Sequence, residues 1–487
     1  MLEAQVHQRL KKLLRQCGRP GWPHHLTLSR LVARSLRRQD VTAIHIAPGS
    51  DPSWMLSLLL PLWMGRHPVA LVASQPLLMR LRRVELERLA HAGLGCPLWE
   101  GADCPAEVPI WLIDPVQLLR AWRSGGLGER QVVVLEAERF EQDLRSAMGC
   151  CLTAEAWEQL RRLLPHCTAE LAYEHEQLRR AVFAHPVNPQ ARVALSDAEQ
   201  APLRRLLTLA DPLPQPWRCW LESLSPGWVS WAETDHQLLR WTLCRQPLEP
   251  LALLPPLPGR GLVLAGVPGP AQALLGALRH AKAVTVRLGD PPLQDPIPLF
   301  HPHHQPLPNS PVFADHLLDQ CRRLMLGRAG LSVVLLDDDP LRQRLTSALA
   351  AEFGGRVCHQ QPSPDGNGIL CASWSWWLEH HARLPSPCQV VVAALPIASL
   401  EDPLTAARVR RWRLQGDDWF RSLLLPEALA RLQRGVAPLR GQEDVRLALL
   451  DGRVRRRSWG QLVLDALQPT LPLRHLFPKQ DIPRPGA

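Results

Sequence analysis

Short apolar runs alternate with segments of helical period in two separate parts of this chain, and this alternation limits its fold more than any other feature. In the first part, residues 1–140, the runs lie at 43–46, 69–73, 110–113 and 132–135. In the second part, after residue 312, they lie at 332–336, 368–372 and 389–394. Buried strands that alternate with helices are typical of parallel sheets. The sequence therefore predicts an α/β protein with two parallel-sheet domains.

The stretch between the two parts has a different pattern. Residues 141–245 show helical period without a clear strand pattern, which predicts a helical insertion. Strand patterns return at 261–265 and 283–288, so the first domain is predicted to comprise 1–140 and 246–290. We interpret the Pro- and His-rich residues 291–311 as a linker, 312–475 as the second domain and 476–487 as a tail.

The composition excludes several classes of protein. The longest apolar run, residues 54–65, contains Pro61 and falls short of the roughly 18 residues that span a bilayer. The polar N-terminal segment lacks the apolar core of a signal peptide. The 12 cysteines form no Cys-x-x-Cys pair, so neither a disulfide framework nor a zinc site is expected. These features predict a cytoplasmic protein without a membrane partner.

The positive charge is concentrated near the C-terminus. The net charge is +10, and residues 405–457 contain 13 arginines against six acidic residues. Such a segment suits the phosphate backbone of a nucleic acid. A solvated basic face is an equally good explanation of the local charge, and a GC-rich genome would also enrich arginine.

The turn after the run at 43–46 has the position of a phosphate-binding loop. Working loops end in Gly-Lys-Ser/Thr, because the ammonium neutralises the β- and γ-phosphates and the hydroxyl holds Mg²⁺. This chain has no lysine between Lys12 and Lys282. The predicted nucleotide-binding residues of the turn therefore lack their cation: Ala47, Pro48, Gly49, Ser50 and Ser53.

Several tracts follow one another in a fixed order. Residues 132–135 lead into Glu136-Ala137-Glu138, and residues 369–372 lead into Ser-Trp-Ser-Trp-Trp. Leu395-Pro396, Asp402-Pro403-Leu404, Leu425-Pro426-Glu427-Ala428 and Gln433 to Arg440 come next. This succession resembles the DinG/XPD-like branch of superfamily 2 DNA helicases over nearly the whole chain. The resemblance implies two RecA-like domains that bind ATP between them and move along single-stranded DNA, with an arch-like insertion in the first.

The resemblance also implies roles for single residues. Glu136 corresponds to the carboxylate that activates water, Arg440 to an arginine aimed at the γ-phosphate, and Gln433 to a nucleotide contact. The implied nucleic-acid contacts are Trp376, Trp377, Arg408, Arg410 and Arg411.

The chain departs from the family pattern at the phosphate site. Leu135 replaces the aspartate that holds Mg²⁺, Glu138 replaces a histidine, and Ala437 replaces the first of two arginines. ATP and Mg²⁺ binding are therefore expected to be weak or absent. Many family members hold an iron–sulfur cluster on four cysteines, but the matching interval has only Cys96 and Cys104, so no cluster is expected.

The leading hypothesis is a helicase-related protein that binds single-stranded or branched DNA, or a replication or repair protein, without efficient ATP hydrolysis. One alternative is an active ATP-dependent helicase with unconventional phosphate ligands. Another is a non-catalytic scaffold whose insertion and linker recruit other proteins.

Overall fold

The computed structural model describes most of the chain. The described residues are 2–16, 22–47, 50–95, 97–186, 188–210, 213–225, 227–236, 238–257, 261–266, 274–276, 278, 283–289, 296–473 and 476. Pro48, Gly49, Cys96 and nearly all of the predicted tail lie outside them. No helix in these ranges is long and apolar enough to cross a membrane.

The first domain is built on a seven-stranded parallel sheet with the order β11-β1-β10-β5-β2-β4-β3. Its strands are β1 (Val41–Ile46), β2 (Val69–Val72), β3 (Leu98–Trp99), β4 (Ile110–Ile113), β5 (Gln131–Val134), β10 (Leu262–Gly266) and β11 (Val284–Leu288). Its helices are α1 (Leu2–Gln16), α2 (His25–Arg38), α3 (Trp54–Met64), α4 (Gln75–Arg80), α5 (Glu87–His91), α6 (Pro115–Ser124) and α7 (Phe140–Met148), with a π-helical segment at Leu81–Leu86.

The central strands of this sheet are buried on both faces. Every residue of β2, β4 and β5 is buried, because α1 to α5 supply a core on one face and α6 and α7 supply a core on the other. Continuous apolar strands are what a parallel sheet covered on both faces requires. The predicted α/β fold class is confirmed.

The insertion between β5 and β10 contains a four-stranded antiparallel sheet with the order β6-β9-β8-β7. Its strands are β6 (Cys150–Leu152), β7 (Arg192–Ala194), β8 (Trp228–Asp235) and β9 (Arg240–Pro247), and its helices are α8 (Ala154–Leu163), α9 (Thr168–Ala184), α10 (Asp197–Thr208) and α11 (Trp217–Glu222).

The prediction that this insertion is purely helical was therefore wrong. In β8, the consecutive residues Ser230, Trp231 and Ala232 are all buried, so the strand does not alternate between buried and exposed positions. One face of the sheet packs on the helices of the insertion, and a helix of the second domain contacts β7 and β8. The usual sequence pattern of an antiparallel strand with one wet face is consequently missing.

The second domain repeats the parallel architecture with the order β14-β15-β13-β16-β17-β12-β18. Its strands are β12 (Ile297–Phe300), β13 (Leu331–Leu335), β14 (Val357–His359), β15 (Ile369–Ala372), β16 (Pro387–Val392), β17 (Arg446–Leu449) and β18 (Thr470–Pro472). Its helices are α12 (Phe313–Met325), α13 (Asp339–Phe353), α14 (Trp374–His380), α15 (Pro403–Leu414), α16 (Leu425–Val436), α17 (Arg453–Arg456) and α18 (Gly460–Ala466), with a π-helical segment at Phe420–Leu424.

Strand β12 lies inside the segment predicted to be a linker. Its backbone pairs with β17 and β18, which are more than 140 residues away in the sequence, and Ile297 is buried. Because every partner is distant, the surrounding Pro- and His-rich sequence gives no local sign of this strand. The prediction of a linker over the whole of 291–311 was therefore wrong.

Candidate functional site

The start of α3 is the place where the fold could receive a phosphate. A helix that follows a parallel strand presents free backbone N–H groups and the positive end of its dipole. Here the Asp51 carboxylate accepts the Ser53 N–H at 2.8 Å. Although burial opposes the shift, hydrogen bonds from Ser53 and the charges of Arg80 and Arg88 lower the pKa of Asp51. A carboxylate of the chain itself thus takes a donor that a phosphate would use.

The side chain of Ser53 faces a buried histidine. Its Oγ lies 3.4 Å from Nε2 of His25, and Nδ1 of His25 lies 2.5 Å from Oγ of Ser57. Burial lowers the pKa of His25 to about 4, so the ring is neutral at physiological pH. The hydroxyl of Ser53, which was predicted to bind nucleotide, therefore belongs to a polar contact inside the first domain.

The other described residues predicted to bind nucleotide in this loop, Ala47 and Ser50, form backbone hydrogen bonds. The Ala47 N–H donates to the Leu288 carbonyl at 3.2 Å, and the Ser50 N–H donates to the Ala47 carbonyl at 3.1 Å. Ala47 is also buried. Nucleotide binding by this loop stays a prediction, since Pro48 and Gly49 lie outside the described residues.

Two carboxylates follow β5 at the carboxyl edge of the first sheet. Glu136 Oε2 accepts the Ser74 N–H at 3.0 Å, and its Oε1 lies 3.5 Å from an Nη atom of Arg139. Glu138 is the more enclosed of the two, with a side chain only 4% exposed. The structure therefore places the predicted catalytic residue Glu136 beside a second, buried acid.

An arginine of the second domain reaches both carboxylates. Arg434, on α16, has Nη2 3.5 Å from Glu136 Oε1 and Nε 3.6 Å from Glu138 Oε1. The other carboxylate oxygen of Glu138 has no hydrogen-bond partner among the described residues. Burial raises the pKa of Glu138 to about 7, although the charge of Arg434 acts in the opposite direction.

His381 faces the same group from the end of α14. Its pKa is lowered to about 4, first by burial and then by the positive charge of Arg434. We call Glu136, Glu138, Arg434 and His381 the cleft cluster. Its members come from both parallel-sheet domains. The positive charge beside its two carboxylates is supplied by Arg434 of the second domain.

Gln433 and Arg440, predicted from the resemblance, have a different environment. Gln433 Nε2 donates to the Ala466 carbonyl at 3.0 Å. The Arg440 guanidinium donates to the carbonyls of Leu467, Gln468 and Pro469 at 2.5, 3.1 and 2.7 Å. Both side chains thus bind the carbonyl groups at the end of α18. These contacts give no support to the phosphate contacts expected of Gln433 and Arg440.

The tryptophans predicted to contact bases differ from one another. Trp377 is fully buried and donates its Nε1–H to the Gly435 carbonyl at 2.8 Å, so the prediction for Trp377 was wrong. Its apolar environment is the core of the second domain. Trp376 is partly exposed and stacks on His380, with ring centroids 4.3 Å apart. Base contact by Trp376 stays a prediction.

Most arginines of the 405–457 segment have partners within the protein. Arg408 pairs with Glu427 at 2.5 Å, and Arg411 pairs with Glu249 of the first domain at 2.6 Å. Three of the 13 are exposed and have no side-chain hydrogen bond, ion pair or ring contact to described residues: Arg410, Arg456 and Arg457. The segment therefore offers far less free charge than its composition indicates.

Sequence reasoning missed Arg434 and His381. The sequence does contain one indirect sign, because Glu136 and Glu138, separated by Ala137, place two acids at one strand end, where like charges need a nearby cation. It does not indicate which cation supplies that charge, since Arg434 lies 296 positions beyond Glu138 and is only one of 13 arginines in its segment.

Known proteins share parts of the sequence and nearly the whole fold. No family model matches the chain. It is 36% identical over 112 residues to the ATP-dependent DNA helicase YoaA of Escherichia coli (strain K12), a match to 23% of this chain and 18% of that protein. It is 35% identical over 83 residues to the 3′-5′ exonuclease DinG of Bacillus subtilis (strain 168), covering 17% of this chain and 9% of that protein. These matches span less than a fifth of either relative.

Solved structures match over a longer part of the chain. S. tokodaii Xpd4 superposes with a TM-score of 0.61 and 11% identity, covering 90% of this chain and 97% of that one. An XPD helicase structure superposes with a TM-score of 0.58 and 13% identity, covering 92% of this chain and 99% of that one. The partial sequence matches show that the chain is a relative of DinG/XPD-like superfamily 2 helicases, and the solved structures show that it shares the XPD fold with two RecA-like sheets.

Proposed function

We propose that this family member binds single-stranded or branched DNA and has lost efficient ATP hydrolysis. The observation that carries the proposal is the contact of Arg434 with Glu136 and Glu138 across the cleft. In this fold the cleft is where ATP and its magnesium ion would lie. Here two of its carboxylates already contact the guanidinium of a residue of the opposite domain.

Charge at the helix start supports the same conclusion. A triphosphate at the N-terminus of α3 would lie near the Asp51 carboxylate, which already uses the Ser53 N–H. Two like charges about 4 Å apart repel by roughly 4 kcal/mol at an effective dielectric constant near 20. Motors of this type offset such repulsion with a lysine and a bound Mg²⁺. Leu135, at the position of the magnesium-holding aspartate, is an apolar and buried residue.

An active helicase with an unconventional phosphate site is the second candidate, and Arg434 is the observation that favours it. A guanidinium that reaches the cleft from the second domain has the placement of an arginine that stabilises a transferring phosphoryl group. We favour the first candidate because Arg434 already contacts two carboxylates. A phosphate would have to displace both of them.

ATP turnover by the purified chain, with and without single-stranded DNA, separates the two candidates. We expect turnover at background, unchanged by Glu136→Gln or Arg434→Gln. The matched control is Glu249→Gln, which removes an exposed carboxylate from another cross-domain ion pair. DNA-stimulated turnover that survives in the control but is lost in both cleft variants would establish the active helicase instead.

DNA binding is supported by the family and by the net charge of +10. Arg410, Arg456 and Arg457 are the arginines of the basic segment best able to contact phosphates. We expect binding to weaken steeply with salt, because phosphate contacts release counterions. Reversal of these three charges to glutamate is expected to weaken binding at least tenfold in fluorescence anisotropy at low salt.

The control for this reversal is the equivalent triple change at Arg66, Arg83 and Arg123, which are exposed arginines of the first domain without ion pairs to described residues. An equal loss in the control would show that binding responds only to net charge. No binding by either folded protein at low salt would remove DNA from the proposal. The scaffold hypothesis would then be the one to pursue.

A further inference from the structure

Two cysteines of the insertion lie directly opposite each other on neighbouring antiparallel strands. Cys151 of β6 pairs in register with Cys244 of β9. Residues in this relation have Cα atoms about 4.5 or 5.5 Å apart, depending on the hydrogen-bonding pattern. Disulfides form over Cα separations of about 4.4 to 6.8 Å. The backbone therefore already holds these two residues at a distance that a disulfide accepts.

Their side chains share one face of the sheet. The neighbours Cys150, Leu152 and Leu243 belong to the core formed with the helices of the insertion. Since side chains alternate along a strand, Cys151 and Cys244 lie on the opposite face. The neighbouring thiol of Cys244 is the main cause that lowers the pKa of Cys151.

The two thiols differ in access to solvent. Cys151 is exposed, because β6 is an edge strand, whereas Cys244 is buried with 1% of its surface exposed. An exposed thiol beside a sheltered one suits the two steps of peroxide chemistry, in which one sulfur meets the oxidant and the other resolves the product.

We propose that Cys151 and Cys244 form a redox-active pair that a hydroperoxide converts to a reversible cross-strand disulfide. The Cys151 thiolate attacks the terminal peroxide oxygen, the O–O bond breaks, and the leaving alkoxide or hydroxide takes up a proton. Cys151 is then a sulfenic acid. The Cys244 sulfur attacks the Cys151 sulfur, the S–O bond breaks, and the hydroxyl leaves with the Cys244 proton as water. The two thiols lose two electrons in total, and the peroxide gains them.

The other cysteines of this region are poorer candidates. Cys150 faces the opposite side of the sheet, and burial raises its pKa to about 12, so it supplies little thiolate. Cys219 is exposed on α11, on the helical side with Cys150. No group of three or more possible metal ligands occurs in the described part of the chain, so a thiol pair fits the geometry better than a metal site.

The disulfide would cross-link two strands of the antiparallel sheet next to the strands that contact the second domain. It would join β6 to β9, and β9 pairs with β8. Strands β7 and β8 in turn contact α15 of the second domain. At that contact Arg192 of β7 lies 2.9 Å from Asp402 of the second domain. A cross-link between residues 151 and 244 closes a long loop and removes freedom from the unfolded chain. Oxidation is therefore expected to raise the unfolding temperature.

Peptide mass spectrometry of the purified full chain tests the proposal, with hydrogen peroxide as the oxidant. A Cys150→Ser background separates Cys151 from its neighbour. We expect a linked peptide that contains Cys151 and Cys244, has lost two hydrogen atoms and is released by dithiothreitol. In Cys244→Ser, a dimedone adduct should accumulate on Cys151, whereas Cys219→Ser should still form the link. Oxidation of other cysteines while Cys151 and Cys244 remain free thiols would overturn the proposal.

Thermal unfolding gives an independent readout. The oxidised protein is expected to melt several degrees above the reduced protein, and this difference should vanish in Cys244→Ser. A linked peptide without any rise in melting temperature would show that the disulfide forms but does not stabilise the fold. It would contradict the stabilisation by the cross-link that we infer.

Discussion

Acidic residues follow the strands of both parallel sheets, but the two sheets satisfy them differently. In the second domain, Asp451 accepts the Leu395 N–H at 2.8 Å and pairs with Arg453 at 2.6 Å, and Asp337 accepts the Trp374 N–H at 2.9 Å and lies 3.3 Å from Arg431. All these partners belong to the same domain. In the first domain, Glu138 depends on an arginine of the other domain.

Acidic residues at the carboxyl ends of parallel strands therefore have different roles in the two domains. The carboxylates of the second sheet stabilise loops inside their own domain, so they need nothing from outside it. Glu138 is satisfied only in part, with one oxygen unpaired among the described residues. Incomplete hydrogen bonding of a buried group is costly, and in natural proteins it tends to mark positions with a function other than stability.

Removal of Asp451 should cause the largest loss. Its side chain is fully buried and serves both a backbone N–H and Arg453. Asp451→Ala leaves these donors without an acceptor, and such changes cost about 3–5 kcal/mol. Urea denaturation measures the loss. Glu352→Ala, at an exposed ion pair with Arg322, is the matched control and should cost less than about 1 kcal/mol.

Glu138→Gln should abolish one component of the pH dependence of stability. The folded-state pKa is about 7 and the unfolded value is 4.5, so the folded protein holds a proton that the unfolded chain has lost over this interval. The free energy of unfolding therefore falls as pH rises from about 4.5 to 7, by roughly 3 kcal/mol from this group. Urea denaturation at pH 5 and pH 8 should show this fall in the wild type and not in Glu138→Gln. An identical fall in both proteins would show that Glu138 is not the titrating group.

Arg434→Gln should have a smaller effect that depends on pH. The change removes the cation beside Glu138, and we expect a loss of about 1–3 kcal/mol at pH 8. At pH 5 Glu138 keeps its proton, so the loss should be smaller. A double-mutant cycle with Glu138→Gln measures the coupling. Additive effects at pH 8 would contradict a direct contact.

Glu249→Gln should have the smallest effect on stability. Its ion pair with Arg411 also joins the two domains, but the side chains are 45% and 42% exposed. Exposed pairs contribute about 0–1 kcal/mol. Urea denaturation at low and high salt should show little change. A loss as large as that of Arg434→Gln would mean that both cross-domain contacts stabilise the closed arrangement equally.

The sequence predicted the parts of this molecule that depend on local pattern. Apolar runs such as Ile110–Ile113 became central strands with the same bounds, because parallel strands buried on both faces need continuous apolar sequence. These features depend on a few neighbouring residues, so the sequence alone is sufficient.

Features that depend on distant partners were not predictable in the same way. Strand β8 is covered on both faces by elements from different domains, and β12 pairs only with strands near the C-terminus. Trp377 follows a strand as a base-stacking residue would, yet the backbone of α16 covers it through Gly435. The contact of Arg434 with Glu138 belongs to the same class, because it forms only when the two domains meet.

The burial of Glu138 has a consequence for domain motion. Any movement that withdraws Arg434 and admits water to this acid returns its proton affinity toward that of an ordinary glutamate. Near neutral pH, separation of the two domains therefore releases a proton, and closure takes one up. Alkaline conditions favour the separated arrangement and mildly acidic conditions favour the closed one. The contact between the two domains at Glu138 is thus expected to be sensitive to acidity.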